Sequence, residues 1–544
     1  MESSHNASET ARARRVVEAE LSQPKLLEAT RAFLNGELAA AERKVRLYLK
    51  VNPDSVGGLS LLADIAERCG VYLDAAKLLD RVLALLPAFT EARMRRANLA
   101  FQMGARDEAL GLLDEVSADD EVKRQAGLLK ARFLGLTGSY SAAEAIYRSL
   151  LESFVDDPVI WCALGDVLKT LGRSQESLSC FRRVLDHNPD YTLAWWSIAN
   201  LKSARFTPAD VATMEAILPT AVDELGRLHL RFALGQAYEQ LEQAEQAFEH
   251  YAAGNSIRLK LEPYNRNALS AQVGRTVKLF SRQFLEEREG CGDDTLGPIF
   301  IVGLPRAGST LLEQMLASHP LIEGTSELAD IPLLIQHLLS SHLRQTSARY
   351  PDILAQVPIP AWKELGARYL RAAASHRKTN RPYFIDKLPN NWINVGFIYL
   401  ILPNAKIIDA RRSPLACCFS NFKQHFSKGQ DFTYDLTDIG QYYRDYVRLM
   451  RHFDGVLPGR IARVLHEDLV VDPEVILRNL VQFLGIEFES SMLEFHRNER
   501  AVRTASAEQV RAPIDRTTTE KWQIFEPWLD PLKAALGPAL TEYR

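Results

Sequence analysis

The chain has 544 residues, 47% of them apolar and 25% charged, which excludes a wholly disordered polymer and leaves ample length for a core without disulfide staples. At about 150 residues per domain, three or four folding units would be ordinary. The 65 basic and 69 acidic residues sum to a formal charge of -4, which argues against a dedicated nucleic-acid binder. Six cysteines (Cys69, Cys162, Cys180, Cys291, Cys417 and Cys418) include no C-x-x-C pair, and the histidines lack ligand spacing, so no metal is expected. The amino terminus has no apolar signal core, and the longest apolar stretch, residues 395–403, ends at Pro403. A reduced, cytoplasmic chain without a membrane span is the expectation.

The first half repeats itself every 34 residues. Ala41, Ala75, Ala109 and Ala143 stand in register, and Ser177 continues them. Four residues later come Val45, Leu79, Leu113, Tyr147 and Phe181; five residues earlier stand Gly36, Gly70, Gly104, Gly138 and Gly172. A small residue lets antiparallel helices approach, and the large one a turn later fills the groove beside it. Glycine permits the short turn, and Pro53, Pro87 and Pro189 stop the second helix. The clearest unit carries Trp161, Leu164, Gly165, Leu168, Phe181 and Pro189. Units of this kind bury little alone and must stack. The pattern resembles a tetratricopeptide solenoid over residues 20–255. A degenerate unit starts near Trp195, and a later one carries Gly235, Tyr238, Ala247 and Tyr251. The step from Ser177 to Ala247 exceeds two periods by two residues, so an insertion is expected near Thr207-Pro208. The resemblance implies a protein or peptide partner on the concave face; a purely packing role is the plainer alternative.

Residues 256–294 read as a helical linker, with a loop at Leu261–Asn265 and one amphipathic helix over 275–289. The pattern then changes. Ile299-Phe300-Ile301-Val302 is a continuous apolar run suited to a buried parallel strand, followed by a turn from Gly303 to Gly308 and a helix from Ser309. Such a strand, turn and helix start present free N–H groups to an anion, with Arg306 adding charge and Ser309 and Thr310 adding hydroxyls. No lysine precedes the hydroxyls, so this is not a Walker A loop, and a kinase or nucleotidase fits poorly.

The run Pro305-Arg306-Ala307-Gly308-Ser309-Thr310 resembles the 5′-phosphosulfate loop of sulfotransferases, and four further blocks follow in that family's order. The likeness is to the tyrosylprotein branch and its repeat-fused relatives. It implies a P-loop-like three-layer α/β domain with a parallel sheet over residues 295–544, using 3′-phosphoadenosine 5′-phosphosulfate (PAPS) and releasing 3′-phosphoadenosine 5′-phosphate (PAP). Glu327, 21 residues beyond Arg306, stands where the family has its catalytic carboxylate, although Ser326 and Ala329 replace a neighbouring glutamate and arginine. Lys387 matches a lysine that contacts the bridging and sulfuryl oxygens. Glu327, Lys387 and Arg306 are thus the implied catalytic residues.

Arg306, Ala307, Gly308, Ser309 and Thr310 would hold the 5′-phosphosulfate, and Arg412 with Ser420, eight residues apart, the 3′-phosphate. Arg411, Asn421, Lys423 and His425 are less defined neighbours. His466 occupies the position of a family tyrosine in HEDLVVDP, read as strand, turn and helix. Ser506 and Lys521 match a closing segment over the cofactor, beside Trp522 and Arg511. The resemblance implies sulfuryl transfer to a hydroxyl, a protein or peptide tyrosine being favoured. A carbohydrate or small-molecule acceptor is the alternative within the class, and a non-catalytic interaction scaffold the alternative outside it. Oligomeric state stays open, a homodimer included.

Overall fold

The computed structural model of the chain describes residues 2–116, 120–342, 348–426, 429–498, 500–502, 504, 507–515 and 520–544. By internal contacts the chain divides into Met1–Val167 and Leu168–Arg544.

In the first unit, α1 (Glu2–Leu21) precedes antiparallel pairs formed by α2 (Pro24–Leu34) with α3 (Leu38–Val51), α4 (Val56–Arg68) with α5 (Tyr72–Leu85), α6 (Thr90–Gln102) with α7 (Arg106–Asp114), and α8 (Asp120–Leu136) with α9 (Tyr140–Ser153). The 34-residue register is the packing register. Ala41, Ala75, Ala109 and Ala143 are fully buried, and Val45, Leu79, Leu113 and Tyr147 are buried one turn later. Gly36, Gly70, Gly104 and Gly138 each end a first helix with φ between 75° and 85°, where a side chain would be strained.

The second unit begins within α10 (Pro158–Thr170) and continues through α11 (Ser174–His187), α12 (Thr192–Ala199), α13 (Pro208–Ile217), α14 (Glu224–Gln240) and α15 (Ala244–Leu261). At Thr207-Pro208, where the insertion is expected, α13 starts with a reciprocal cap between Thr207 and Asp210. Beyond it the repeat packing resumes: Gly235 lies against Tyr251, and a Cβ there would stand 2.6 Å from the ring. Gly235→Ala is therefore expected to cost about 1–3 kcal/mol by overpacking, read as a lower thermal midpoint.

The single helix expected over 275–289 is two. α16 (Arg266–Leu279) stops where Phe280 turns fully into the core, and α17 (Arg282–Glu286) restarts from Ser281, whose Oγ accepts from Phe284 N at 3.2 Å. The core position of Phe280 outweighs the continuous amphipathic pattern.

The sheet is five-stranded and parallel, in the order β2-β3-β1-β4-β5: β1 (Pro298–Gly303), β2 (Ile322–Ser326), β3 (Tyr383–Asp386), β4 (Lys406–Arg411) and β5 (Ile461–Leu465). β1 is central and buried along its whole length, as its apolar run requires. On one face Ile299 and Ile301 pack with α18 (Ser309–Ala317) and with Leu477 and Leu480 further along. On the other, the Phe300 ring lies 5.4 Å from that of Tyr369 in α20 (Ile359–Ala374), a helix that follows α19 (Asp330–His342). Helices cover both faces, so a tetratricopeptide-like solenoid is followed by a three-layer α/β region.

The chain leaves β1 toward β2 on one side and enters β4 on the other, placing the topological switch at the carboxyl end of β1. α21 (Val395–Ile401), α22 (Pro414–Phe422) and α23 (Leu436–Val456) complete the connections before β5. After β5 the structure differs from the strand and turn read in HEDLVVDP. His466–Val471 is a short helix, α24, and Pro473 starts α25 (Pro473–Leu484). The acids Glu467 and Asp468 in the first turn favour that helix start.

Candidate active site

The loop after β1 is built by backbone conformations that few residues tolerate. Gly303 has φ 144°, and a Cβ there would meet Ala410 O of β4 at 2.3 Å. Arg306 takes φ 65° and Gly308 φ 92°, the latter capping α18, so the first-turn N–H groups of α18 point back at the loop. Asn421 Nδ2 donates to Pro305 O at 2.7 Å, which makes this fully buried residue a brace of the loop rather than an acceptor contact.

A cavity of about 840 Å³ opens over this loop. Arg306, Gly308, Ser309, Thr310, Arg412 and Ser420 line it, as do His466 and Lys521; Ala307 is buried behind them. Arg306 Nε donates to Ser420 Oγ at 3.2 Å, and Arg412 Nη1 donates to Arg306 O at 3.2 Å, so residues far apart in sequence are tied together. Burial, with Arg412 close by, pushes the Arg306 guanidinium down to about 10. Burial holds Arg412 below its usual range as well. Both shifts describe cations kept from water, a state that an anion would relieve. Arg411 differs. Its Nη2 donates to Asp409 Oδ2 at 2.5 Å and its Nη1 to Tyr543 O at 2.6 Å, inside the core and away from the cavity.

His466 packs on the loop, its Nδ1 2.4 Å from where a Cβ on Gly308 would lie. Burial and the two arginines push the imidazole down to about 3, so it is neutral near pH 7, and its buried Nδ1 has no hydrogen-bond partner among the described residues. A neutral ring with one unused polar nitrogen beside two arginines fits a phosphate-bearing ligand.

Glu327 and Lys387 stand at the same edge of the sheet, after β2 and β3, but outside the cavity lining. An irregularity between Gly324 and Ser326 in the β2–β3 ladder, with Ser326 at φ 128°, redirects the chain before Glu327. Lys387 N donates to Ser326 O at 3.0 Å, and Lys387 Nζ donates to Glu327 Oε1 at 2.5 Å. The lysine side chain is 1% exposed and the glutamate 46%, so the carboxylate faces solvent while the cation is held beneath it. Asp386, next to Lys387, is fully buried, accepts from Tyr369 OH at 2.9 Å, and has its carboxyl pushed well up by burial; it supports the strand end.

Two charged residues here were not read from the sequence. Glu313 of α18 lies 4.0 Å from Lys387 Nζ and 2.8 Å from Arg500 Nη2. The acid inside the apolar run Leu311-Leu312-Glu313-Gln314-Met315 was the available signal. Among the less defined neighbours, Lys423 lines the cavity, whereas His425 packs against Trp196 and Phe232 and is pushed down to about 3 by burial. Arg511 donates to Thr170 O at 3.1 Å and to Arg500 O at 3.2 Å, bracing the closing segment. Ser506 lies outside the described residues. Among the described residues, no group of three or more His, Cys, Asp or Glu side chains could hold a metal ion, and no helix is long and apolar enough to cross a membrane.

Comparison with known proteins finds two kinds of region along the chain. The Sulfotransferase family model matches residues 298–490, and tetratricopeptide repeat models match 70–133 and 158–191. The chain is 27% identical over 448 residues to an uncharacterized protein of Aquifex aeolicus, covering 81% of this chain and 58% of that one. It is 26% identical over 274 residues to a protein-tyrosine sulfotransferase of Drosophila melanogaster, covering 47% of this chain and 52% of that one. The chain thus spans little more than half the length of these relatives. Among solved structures, the sulfotransferase domain of the Synechococcus PCC 7002 olefin synthase is 23% identical with a TM-score of 0.33, over 42% of this chain and 88% of that one. The chain combines a tetratricopeptide-repeat region with a sulfotransferase-domain region distantly related to protein-tyrosine sulfotransferases.

Proposed function

We propose that the protein transfers the sulfuryl group of PAPS to an acceptor hydroxyl, a protein or peptide tyrosine being the favoured acceptor. The observation that carries this reading is the convergence of Arg306, Arg412 and Ser420 on one cavity at the carboxyl end of β1. When bound, PAPS supplies a sulfuryl group joined to a phosphate that can leave.

The chain's own residues divide the remaining work. Ser309, Thr310 and the first-turn N–H groups of α18 hold 5′-phosphate oxygens, with Arg306 as the charged partner. Arg412 and Ser420 hold the 3′-phosphate, and His466 offers a neutral hydrogen bond beside them. Lys521 contacts the nucleotide from the cavity wall, and by the family resemblance Ser506 is a further contact. Glu327 accepts the hydroxyl proton as the acceptor attacks, and Lys387, already bonded to that carboxylate, steadies the negative charge that grows on the oxygens. A phenol, with a pKa near about 10, asks less of a carboxylate base than an alkyl alcohol does. Residues 20–255 and 295–544 are taken as the functional parts joined by 256–294, with a peptide partner on the repeats. The six cysteines, none of them in a disulfide, fit a reducing, cytoplasmic setting.

Incubation with sulfur-labelled PAPS and a tyrosine-containing peptide is expected to label the peptide and release PAP in equal amounts. Label appearing on a saccharide and never on the peptide would overturn the tyrosine assignment. PAP release with no acceptor, peptide or sugar, becoming labelled would overturn the transfer itself.

A further inference from the structure

The phosphate cavity has a wall that the α/β region does not supply. Lys202, Gln236, Glu239 and Gln240 come from the repeats, yet they line the same space as Arg306 and Arg412. The short loop after α12 that carries Lys202 is fastened on every side. Asn200 Oδ1 accepts from Gln424 Nε2 at 2.9 Å, and Glu508 accepts from Ser203 N at 3.2 Å and Ser203 Oγ at 2.9 Å. Gln240 accepts from Phe206 N at 3.0 Å and donates to Ala204 O at 3.0 Å. Lys202 therefore projects from pre-ordered backbone, and little conformational freedom is lost if it grips a ligand.

The surroundings select an anion. Six cationic side chains line the cavity (Lys202, Arg205, Arg306, Arg412, Lys423 and Lys521), against three carboxylates from Glu239, Glu242 and Asp515. Glu239 is committed: its Oε1 is 2.5 Å from Lys423 Nζ, and it accepts from Tyr251 OH at 2.9 Å. Lys202 Nζ has a long hydrogen bond of 3.4 Å to Gln236 Oε1, and no carboxylate pairs with it among the described residues. Lys423 ends the helix that carries Ser420, three residues earlier on the same face, which places this cation cluster at the Ser420 side of the cavity.

We propose that Lys202 is a nucleotide-binding residue contributed by the repeat array, directed at the 3′-phosphate, so that the repeats complete the cofactor site. This rests on the sulfuryl-transfer reading above and deepens it. The charge state of the lysine fits. Burial, then Arg306, Lys423 and Lys169, push its ammonium down to about 7, with only Glu239 acting in the other direction. At pH 8 the side chain is mostly neutral. A phosphate beside it restores the charged form, so binding takes up a proton above pH 7 and tightens as pH falls toward 7.

Calorimetry of the full chain at pH 8, in buffers of different ionisation enthalpy, tests this with PAP and with adenosine 5′-phosphate, which lacks the 3′-phosphate. K202M is expected to weaken PAP roughly 10- to 100-fold, the worth of a lost hydrogen bond to a charged group, and to leave adenosine 5′-phosphate unchanged. K202R is expected to keep PAP affinity within a few-fold while losing the proton uptake, because arginine is charged throughout. Wild-type-like PAP binding by K202M, or equal losses for both nucleotides, would overturn the Lys202 assignment. Failure of the wild-type chain to prefer PAP over adenosine 5′-phosphate would instead overturn the sulfuryl-transfer reading.

Discussion

Glu327→Gln is expected to lower the rate of sulfuryl transfer by roughly 10²- to 10⁴-fold, the usual worth of a positioned general base. PAP affinity should stay within a few-fold of wild type, because Glu327 lies outside the lining of the phosphate cavity. The amide keeps the size of the side chain and an oxygen for Lys387, so the 2.5 Å contact loses its charge but not its geometry. The exposed position of the carboxylate also makes a folding defect an unlooked-for outcome. Single-turnover release of PAP at saturating PAPS, with the thermal midpoint as control, measures the effect. Undiminished turnover would remove Glu327 from the mechanism.

Lys387→Met is expected to lower turnover by roughly 10²- to 10³-fold, as when one preorganised donor to a developing negative charge is removed. Structure alone does not explain that loss. The lysine is buried between Glu327 and Glu313, but Glu313 retains Arg500 at 2.8 Å, so the variant leaves no lone buried carboxylate. Methionine also preserves most of the buried aliphatic stem. If Lys387 and Glu327 act on the same step, the double variant should be little slower than the worse single one, a non-additivity that two independent structural defects would not produce. A double variant whose loss equals the product of the two single losses would contradict a shared step.

The parts of the fold that sequence makes legible are those whose physics is local. Each glycine at residues 36, 70, 104, 138 and 172 adopts positive φ because one short turn recurs, and the small positions five residues later are fully buried because one helix contact recurs. The loop from Gly303 to Thr310 is legible for the same reason, since strand, turn and helix start are contiguous. Legibility fails where a tertiary contact decides. The amphipathic run over 275–289 breaks because Phe280 is drawn into the core, which no pattern within the run announces. The bond from Arg306 to Ser420 spans 114 positions, and that from Lys387 to Glu327 spans 60; family order suggested the participants, while their pairing is a property of the folded sheet.

Lys202 is the clearest case. It sits in the degenerate unit that starts near Trp195, and it lines the cavity over the β1 loop where the closing segment, through Glu508, and the start of the loop after α22, through Gln424, fasten its loop. A solenoid read as a recognition surface alone omits that contribution. His466 is an intermediate case: its alignment with a tyrosine is readable, whereas its lowered pKa and its buried Nδ1, without a partner among the described residues, are set by burial in the folded chain, with Arg412 and Arg306 acting in the same direction on the pKa.

The central claim is that the cavity over the β1 loop holds a nucleotide bearing both 3′ and 5′ anionic groups. Titration of the full chain with PAP and, separately, with ATP tests it most directly, since ATP carries comparable charge without a 3′-phosphate. Tight binding of PAP with ATP weaker by at least about 10-fold, the discrimination expected from one charged hydrogen-bond set, is the expected result, and Arg412→Ala should narrow the preference. Equal affinity for the two nucleotides, or a preference for ATP, would contradict the account.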